Sequence, residues 1–262
     1  MEKKRNIYES GQVAENEQKR LRSIEYPTQI SEEVLGADIK GKTVLDLGSG
    51  PNDTLGKFAR EHGASYVAFD IHAGFLKKQR ESGSTVVQGD IERLPFKEKG
   101  ADIVHERFVL MHLLPDERRN AIRGMINAAK ERAEFLEWDW GTVDGDELTR
   151  RFRDFAIQFM RERGIEPLMG QKLKKEIEEV AAGQDVSIAE QRHNRGPEQD
   201  YAALIAFIKS MKEVALNMGN QRLAEGAEKF IEEFKRESKK ENPGDFTGSD
   251  IVAVEVLHKA SD

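Results

Sequence analysis

The spacing of apolar positions changes several times along this chain, and the changes mark its elements. From Thr43 onward, short β-branched runs alternate with amphipathic stretches. Strands are expected over 43–47, 65–70, 84–88, 101–105 and 134–138, and helices over 54–62, 73–81 and 116–131. This alternation predicts an α/β fold, a parallel sheet with helices on both faces. Farther on, Leu148, Phe152, Phe155 and Phe159 form one helical stripe that Gly164 and Pro167 end, and 170–182 reads as a highly charged helix. Residues 185–190 read as a strand, stopped by Asn194-Arg195-Gly196-Pro197. Two more stripes follow in 198–239, one through Tyr201, Leu204, Ile205, Ile208 and Met211, the other through Leu223, Ala227, Phe230, Ile231 and Phe234. The run from Ile251 to Leu257 has the β-branched density of a sheet member.

One domain over 1–262 accommodates all of this. Residues 8–24 read as a polar helix ended by Pro27, and the segment 1–30 is expected to lie over the site. The helical pair in 195–245, inserted between the last two strands, is expected to form a cap, with plain packing on the core as the alternative.

Composition narrows the function. A net charge of -7 argues against nucleic acid as the main partner, because phosphate binding needs a basic face. Basic runs such as Lys172-Leu173-Lys174-Lys175 sit beside glutamates and read as solvated helix faces. There is no cysteine, which excludes disulfides, thiolate nucleophiles and cysteine zinc sites. The N-terminus runs into polar sequence, and no stretch approaches the roughly 20 apolar residues of a membrane span. A cytoplasmic enzyme is expected.

The candidate chemistry lies at the ends of the predicted strands. Val44-Leu45-Asp46-Leu47-Gly48-Ser49-Gly50-Pro51-Asn52-Asp53 reads as a buried strand entering a turn that lets backbone approach a ligand closely. About twenty residues after Gly50, Asp70 ends the second strand, the spacing expected for a carboxylate on a ribose. A dinucleotide fold carries a third glycine where this chain has Asp53, and a carboxylate there would repel a pyrophosphate by about 1 kcal/mol in water and more in a shielded cleft. A ligand with an ammonium and a sulfonium, and without phosphates, suits the turn better.

With these residues in view, the sequence resembles the class I S-adenosylmethionine-dependent methyltransferases, in the small-molecule group that includes ubiquinone/menaquinone-biosynthesis-type enzymes. The resemblance is carried by Val44 to Gly50, Phe69-Asp70, Gly89-Asp90-Ile91 and the segment from His105 to Leu113. It implies a Rossmann-like, mostly parallel seven-stranded sheet whose last strand is antiparallel and inserted between the fifth and sixth. It implies S-adenosylmethionine as cofactor and S-adenosylhomocysteine as product. Gly48 and Gly50 would pass against the methionine portion, Asp46 would orient its amino group, Asp70 would accept the ribose hydroxyls, and Asp90 with the Ile91 backbone would meet the adenine. Ser49, Ile71 and Glu106 are assigned to the same surroundings.

Methyl transfer from a sulfonium depends mainly on positioning, so a base is optional. His105, Glu106 and Arg107 are the catalytic candidates at the end of the fourth strand. The alternatives are a backbone-bonded His105 and a structural Glu106–Arg107 ion pair. Tyr8, Trp140, Phe155 and Tyr201 are candidates for an acceptor pocket, with core packing as the alternative. The histidines show no metal-ligand spacing, so no metal is expected. The expected partner is a small, hydrophobic or aromatic methyl acceptor; a homodimer is allowed but not required. A cofactor-binding protein without transfer activity and a nicotinamide-dependent oxidoreductase are the rival readings.

Overall fold

The computed structural model of the chain describes residues 26–194, 197–198, 201–240, 244 and 246–259. Strands and helices alternate as α1 (Tyr26–Leu35), β1 (Thr43–Leu47), α2 (Thr54–Glu61), β2 (Ser65–Asp70), α3 (Ala73–Glu81), β3 (Thr85–Gln88), β4 (Ala101–Arg107), α4 (Pro115–Ala128) and β5 (Ala129–Asp139). They continue as α5 (Glu147–Glu162), α6 (Met169–Ala181), β6 (Val186–His193), α7 (Tyr201–Asn217), α8 (Gln221–Glu237) and β7 (Asp250–His258). These strands form one seven-stranded sheet in the order β3-β2-β1-β4-β5-β7-β6. Pairing is parallel from β3 through β5, and β7 runs antiparallel to both β5 and β6. The expected architecture is therefore present, reversed strand included.

One element boundary departs from expectation for an identifiable reason, and another falls outside the described residues. The helix expected over 8–24 lies outside the described residues, and Pro27 lies in the first turn of α1. Its missing N–H costs nothing in that turn, where the amide has no intrahelical partner. The helix expected over 116–131 stops at Ala128, because Lys130, Glu131 and Arg132 belong to β5. Their charges resemble a helix face, yet each has a partner: Lys130 meets Asp102 at 3.1 Å, Glu131 meets Lys42 at 2.7 Å and Arg132 meets Glu134 at 2.6 Å.

Each face of the sheet is covered. On one side Leu45, Leu47, Phe69, Val104 and Phe135 join a core that runs through α4, α5, α6, α7 and α8. On the other, Val44, Tyr66, Ala68 and Ile103 pack with Leu35, Leu55 and Ala59, while Ile30 of α1 packs with Leu136, Ile251 and Ala253. Gly56 is the close-packing glycine of α2, since a Cβ there would lie 2.7 Å from the Tyr66 ring. The helical hairpin α7–α8 lies between β6 and β7 in sequence. At its base, Pro197–Glu198 pairs with Phe246–Thr247. It leans on α5, with Phe152 edge-on to Phe230 and Phe234 at 5.6 Å each. No described helix is long and apolar enough to cross a membrane.

Candidate active site

The turn after β1 depends on two glycines in the left-handed region, Gly48 at φ +71° and Gly50 at φ +65°. The amides of Gly48 and Ser49 both donate to the Phe69 carbonyl, at 2.7 and 3.1 Å. Asp70 then ties the ends of β1 and β2 together, accepting from the Gly50 amide at 3.0 Å and the His72 amide at 2.8 Å. Burial raises the Asp70 carboxyl, and these two backbone bonds oppose the rise. Gln79 of α3 holds the outer side of the loop by donating to the carbonyls of Gly50 at 3.2 Å and Asn52 at 2.7 Å.

Space at the turn is uneven. A Cβ on Gly48 would lie 2.3 Å from Cγ2 of Val109, whereas one on Gly50 would meet no atom of the described residues within 4 Å. Beside this opening the Ser49 hydroxyl is buried and finds no hydrogen-bond partner among the described residues. Ile71, next to Asp70, is 45% exposed, unusual for a large apolar side chain at a strand end. Asp90 caps the short turn Ile91–Arg93 by accepting from the Glu92 amide at 3.1 Å. Gly89 lets that turn approach, since a Cβ there would strike the Phe69 ring at 2.7 Å.

The expected role of Asp53 needs correction. Its carboxylate accepts from Ser84 Oγ at 2.7 Å and forms an ion pair with Arg60. Its charge is neutralised on the α2 side and gives no electrostatic argument against a phosphate. Asp46 lies buried and accepts from the Tyr66 hydroxyl at 2.6 Å. Burial first, and then the Asp46 charge, push that phenol well up.

At the end of β4 side chains alternate, so His105 and Arg107 share one face and Glu106 takes the other. His105 is almost fully enclosed, with Nδ1 2.9 Å from Glu134 and Nε2 3.2 Å from Ser31 Oγ of α1. With both ring nitrogens engaged, it serves as a tie between α1 and the sheet; the catalytic expectation for it is corrected. Arg107 lies near Asp46 and Tyr66 and reaches Ser31 Oγ at 3.4 Å; burial pushes its guanidinium down, and the Asp46 charge leads the opposing effects. Glu106 is fully buried and accepts from the Val109 amide at 3.2 Å. Phe108, which follows β4, has φ +59°, a strained conformation for a bulky residue of the kind found at functional sites.

The acceptor-pocket candidates separate. Tyr8 lies outside the described residues. Trp140 sits just past β5, stacked on Phe207 of α7 at 5.5 Å and edge-on to Trp138 at 5.9 Å; Trp138 in turn stacks on Phe108 at 4.3 Å. Four aromatic rings thus run from the end of β4 to the helical hairpin. Phe155 packs on Phe230 at 5.2 Å, and Tyr201 is buried near Phe234 with its hydroxyl donating to the Gly244 carbonyl. Both belong to the α5–α7–α8 core, which corrects their assignment to a pocket. Val109 and Gln79 were missed in the sequence, because their roles depend on contacts 61 and 29 residues away.

The family described as a methyltransferase domain matches residues 44–132. A ubiquinone/menaquinone biosynthesis C-methyltransferase from Salmonella arizonae is 26% identical over 136 residues, 48% of this chain and 53% of its own length. These matches support a class I methyltransferase domain within this chain, over residues 44–132. It spans about half the length of the curated relatives it matches. Among solved structures, the YcgJ protein of Bacillus subtilis has a TM-score of 0.58 at 16% identity, over 90% of this chain and all of its own. A phosphoethanolamine N-methyltransferase 2 of Haemonchus contortus, solved with S-adenosylhomocysteine, has a TM-score of 0.54 at 12% identity, over 91% of this chain and 54% of its own. At such identities the likeness concerns the fold. Among the described residues, the face at Gly50 is open, the Ser49 hydroxyl has no hydrogen-bond partner and Ile71 is exposed.

Proposed function

We propose that the protein binds S-adenosylmethionine at the β1 turn and transfers its methyl group to a small hydrophobic or aromatic acceptor. The observation that carries this reading is the opening at Gly50, clamped to Asp70 at 3.0 Å and bordered by the buried, unpartnered Ser49 hydroxyl. When bound, the cofactor supplies an activated methyl group on a positive sulfur. Gly48 and Gly50 give it a backbone surface, and Ser49 offers a hydroxyl to its amino-acid end. Asp70 keeps lone pairs free on a carboxylate that two amides already orient, so it can accept ribose hydroxyls with little rearrangement. Asp46, Asp90, Ile91 and Glu106 complete the surroundings, with Ile71 as an apolar face for the adenine. The aromatic run Phe108, Trp138, Trp140 and Phe207 supports an apolar acceptor, held between the sheet and the α7–α8 hairpin acting as its cap.

Calorimetry with S-adenosylhomocysteine and, separately, NADH tests the cofactor. Binding of the first alone is expected; binding of NADH alone would overturn the reading. Transfer of labelled methyl to a panel of phenols, quinols and amines then tests the activity. Tight cofactor binding with no transfer to any acceptor would leave a binding protein.

A further inference from the structure

Two carboxyls, Glu106 at the border of the proposed cofactor surroundings and Glu137 outside them, lie beneath the segment that follows β4. Glu106 on β4 pairs in register with Phe135 of β5, which puts Glu137 two residues farther along on the same face. Both are fully buried. Glu106 Oε2 accepts from the Val109 amide at 3.2 Å and Glu137 Oε1 from the Met111 amide at 3.0 Å, and the backbone at Leu110 also favours the ionised form of both. The remaining oxygens, Glu106 Oε1 and Glu137 Oε2, are buried without a hydrogen-bond partner among the described residues. Two neighbouring carboxylates in a dry interior resist joint ionisation, and a single proton on the pair relieves the repulsion.

We infer that Glu106 and Glu137 hold one proton in common and act as a positioning pair, keeping residues 109–111 seated against the glycine turn. The inference rests on the reading of that turn as the cofactor site. Val109 is the mechanical link, because its amide hangs from Glu106 while its side chain closes on Gly48, within 2.3 Å of where a Cβ would stand. Burial drives the Glu137 carboxyl up to about 8 and lifts Glu106 well above the usual range, where the Glu137 charge adds to the effect. The charged groups around the pair do not cancel this. Arg118 of α4 favours an ionised Glu137 but is held by Glu176 of α6 at 2.7 and 3.0 Å, and Glu176 opposes it. Arg107, next along β4, interacts with Glu106 from the other face and also with Asp46, while Asp139 is paired with Arg192 at 3.1 Å. Loss of the shared proton in alkali would push the carboxylates apart and loosen the seat of Val109.

Carbon-13 NMR of the full chain labelled at glutamate Cδ tests this directly, with E106Q and E137Q assigning the two signals. The expected result is one protonated carboxyl at pH 7 and a coupled titration above it, with the Glu106 signal titrating at lower pH in E137Q. In parallel, the dissociation constant for S-adenosylhomocysteine should rise about tenfold between pH 7 and pH 9.5, and this rise should vanish in E137Q. Both signals titrating near pH 4 to 5, or equal pH dependence in wild type and E137Q, would overturn the inference. Should no S-adenosylhomocysteine bind at any pH, the cofactor reading falls, while the wild-type titration still decides the fate of the pair. It does so even where a variant fails to fold.

Discussion

Gly48 and Gly50 stand two residues apart in one turn, yet a methyl group added to each would do different damage. At Gly48 the new Cβ would collide with Val109 at 2.3 Å on top of the left-handed strain, so G48A should lose about 2–4 kcal/mol of folding stability. At Gly50 there is room, and the strain alone amounts to about 1 kcal/mol. G50A should therefore fold nearly as well as the parent but bind S-adenosylhomocysteine far more weakly, since the methyl projects into the ligand's space. Urea denaturation and calorimetry separate the two effects. The sequence made the two glycines legible, because few other residues enter such a turn. It did not reveal Val109 as the neighbour, nor that Asp53 spends its charge on Arg60, since both depend on where distant side chains come to rest.

Among the elements, β5 carries two buried glutamates whose ionisation acts on stability with opposite signs. Burial alone would raise Glu134, but His105 at 2.9 Å and Arg132 at 2.6 Å together hold its carboxyl below the ordinary value. Its contribution is present above about pH 4.5 and is lost as acid protonates it. Arg132 also donates to the Leu35 carbonyl at the end of α1, so Glu134→Ala should release that helix and cost about 3–5 kcal/mol in urea denaturation. Glu137 is the reverse case. Raised by burial from 4.5 to about 8, it favours the folded state in acid, and that advantage fades as the pH climbs between those two values. Urea midpoints measured from pH 5 to 9 should decline on the alkaline side, and E137Q should flatten the decline. Helix and strand periods were readable along most of the chain. What misled was charge: Lys130, Glu131 and Arg132 look like a helix surface until their partners on neighbouring segments are known.

For the molecule as a whole, the α7–α8 hairpin is held by aromatic contacts more than by backbone pairing. Phe234 is fully buried against Phe152 at 5.6 Å, and F234A should cost about 3–5 kcal/mol while also shifting Phe207 and the Trp140 stack. Loss of tryptophan fluorescence shift on heating, at a lower temperature than in the parent, is the measurement. The strand order and the reversed β7 followed from family resemblance and not from periodicity, because a run of β-branched residues carries no direction. The hairpin was readable as an insertion of two helices between the last two strands.

The central place of β7 has a consequence for biogenesis. Without β7, among the described residues, β6 has no neighbour in the sheet and β5 keeps only β4. While the ribosome is still making residues 250–258, the nascent chain holds a five-stranded half with an open, apolar border and a stranded β6. A chain paused there would present that border to chaperones, and β6 would join the sheet only when β7 slides between it and β5.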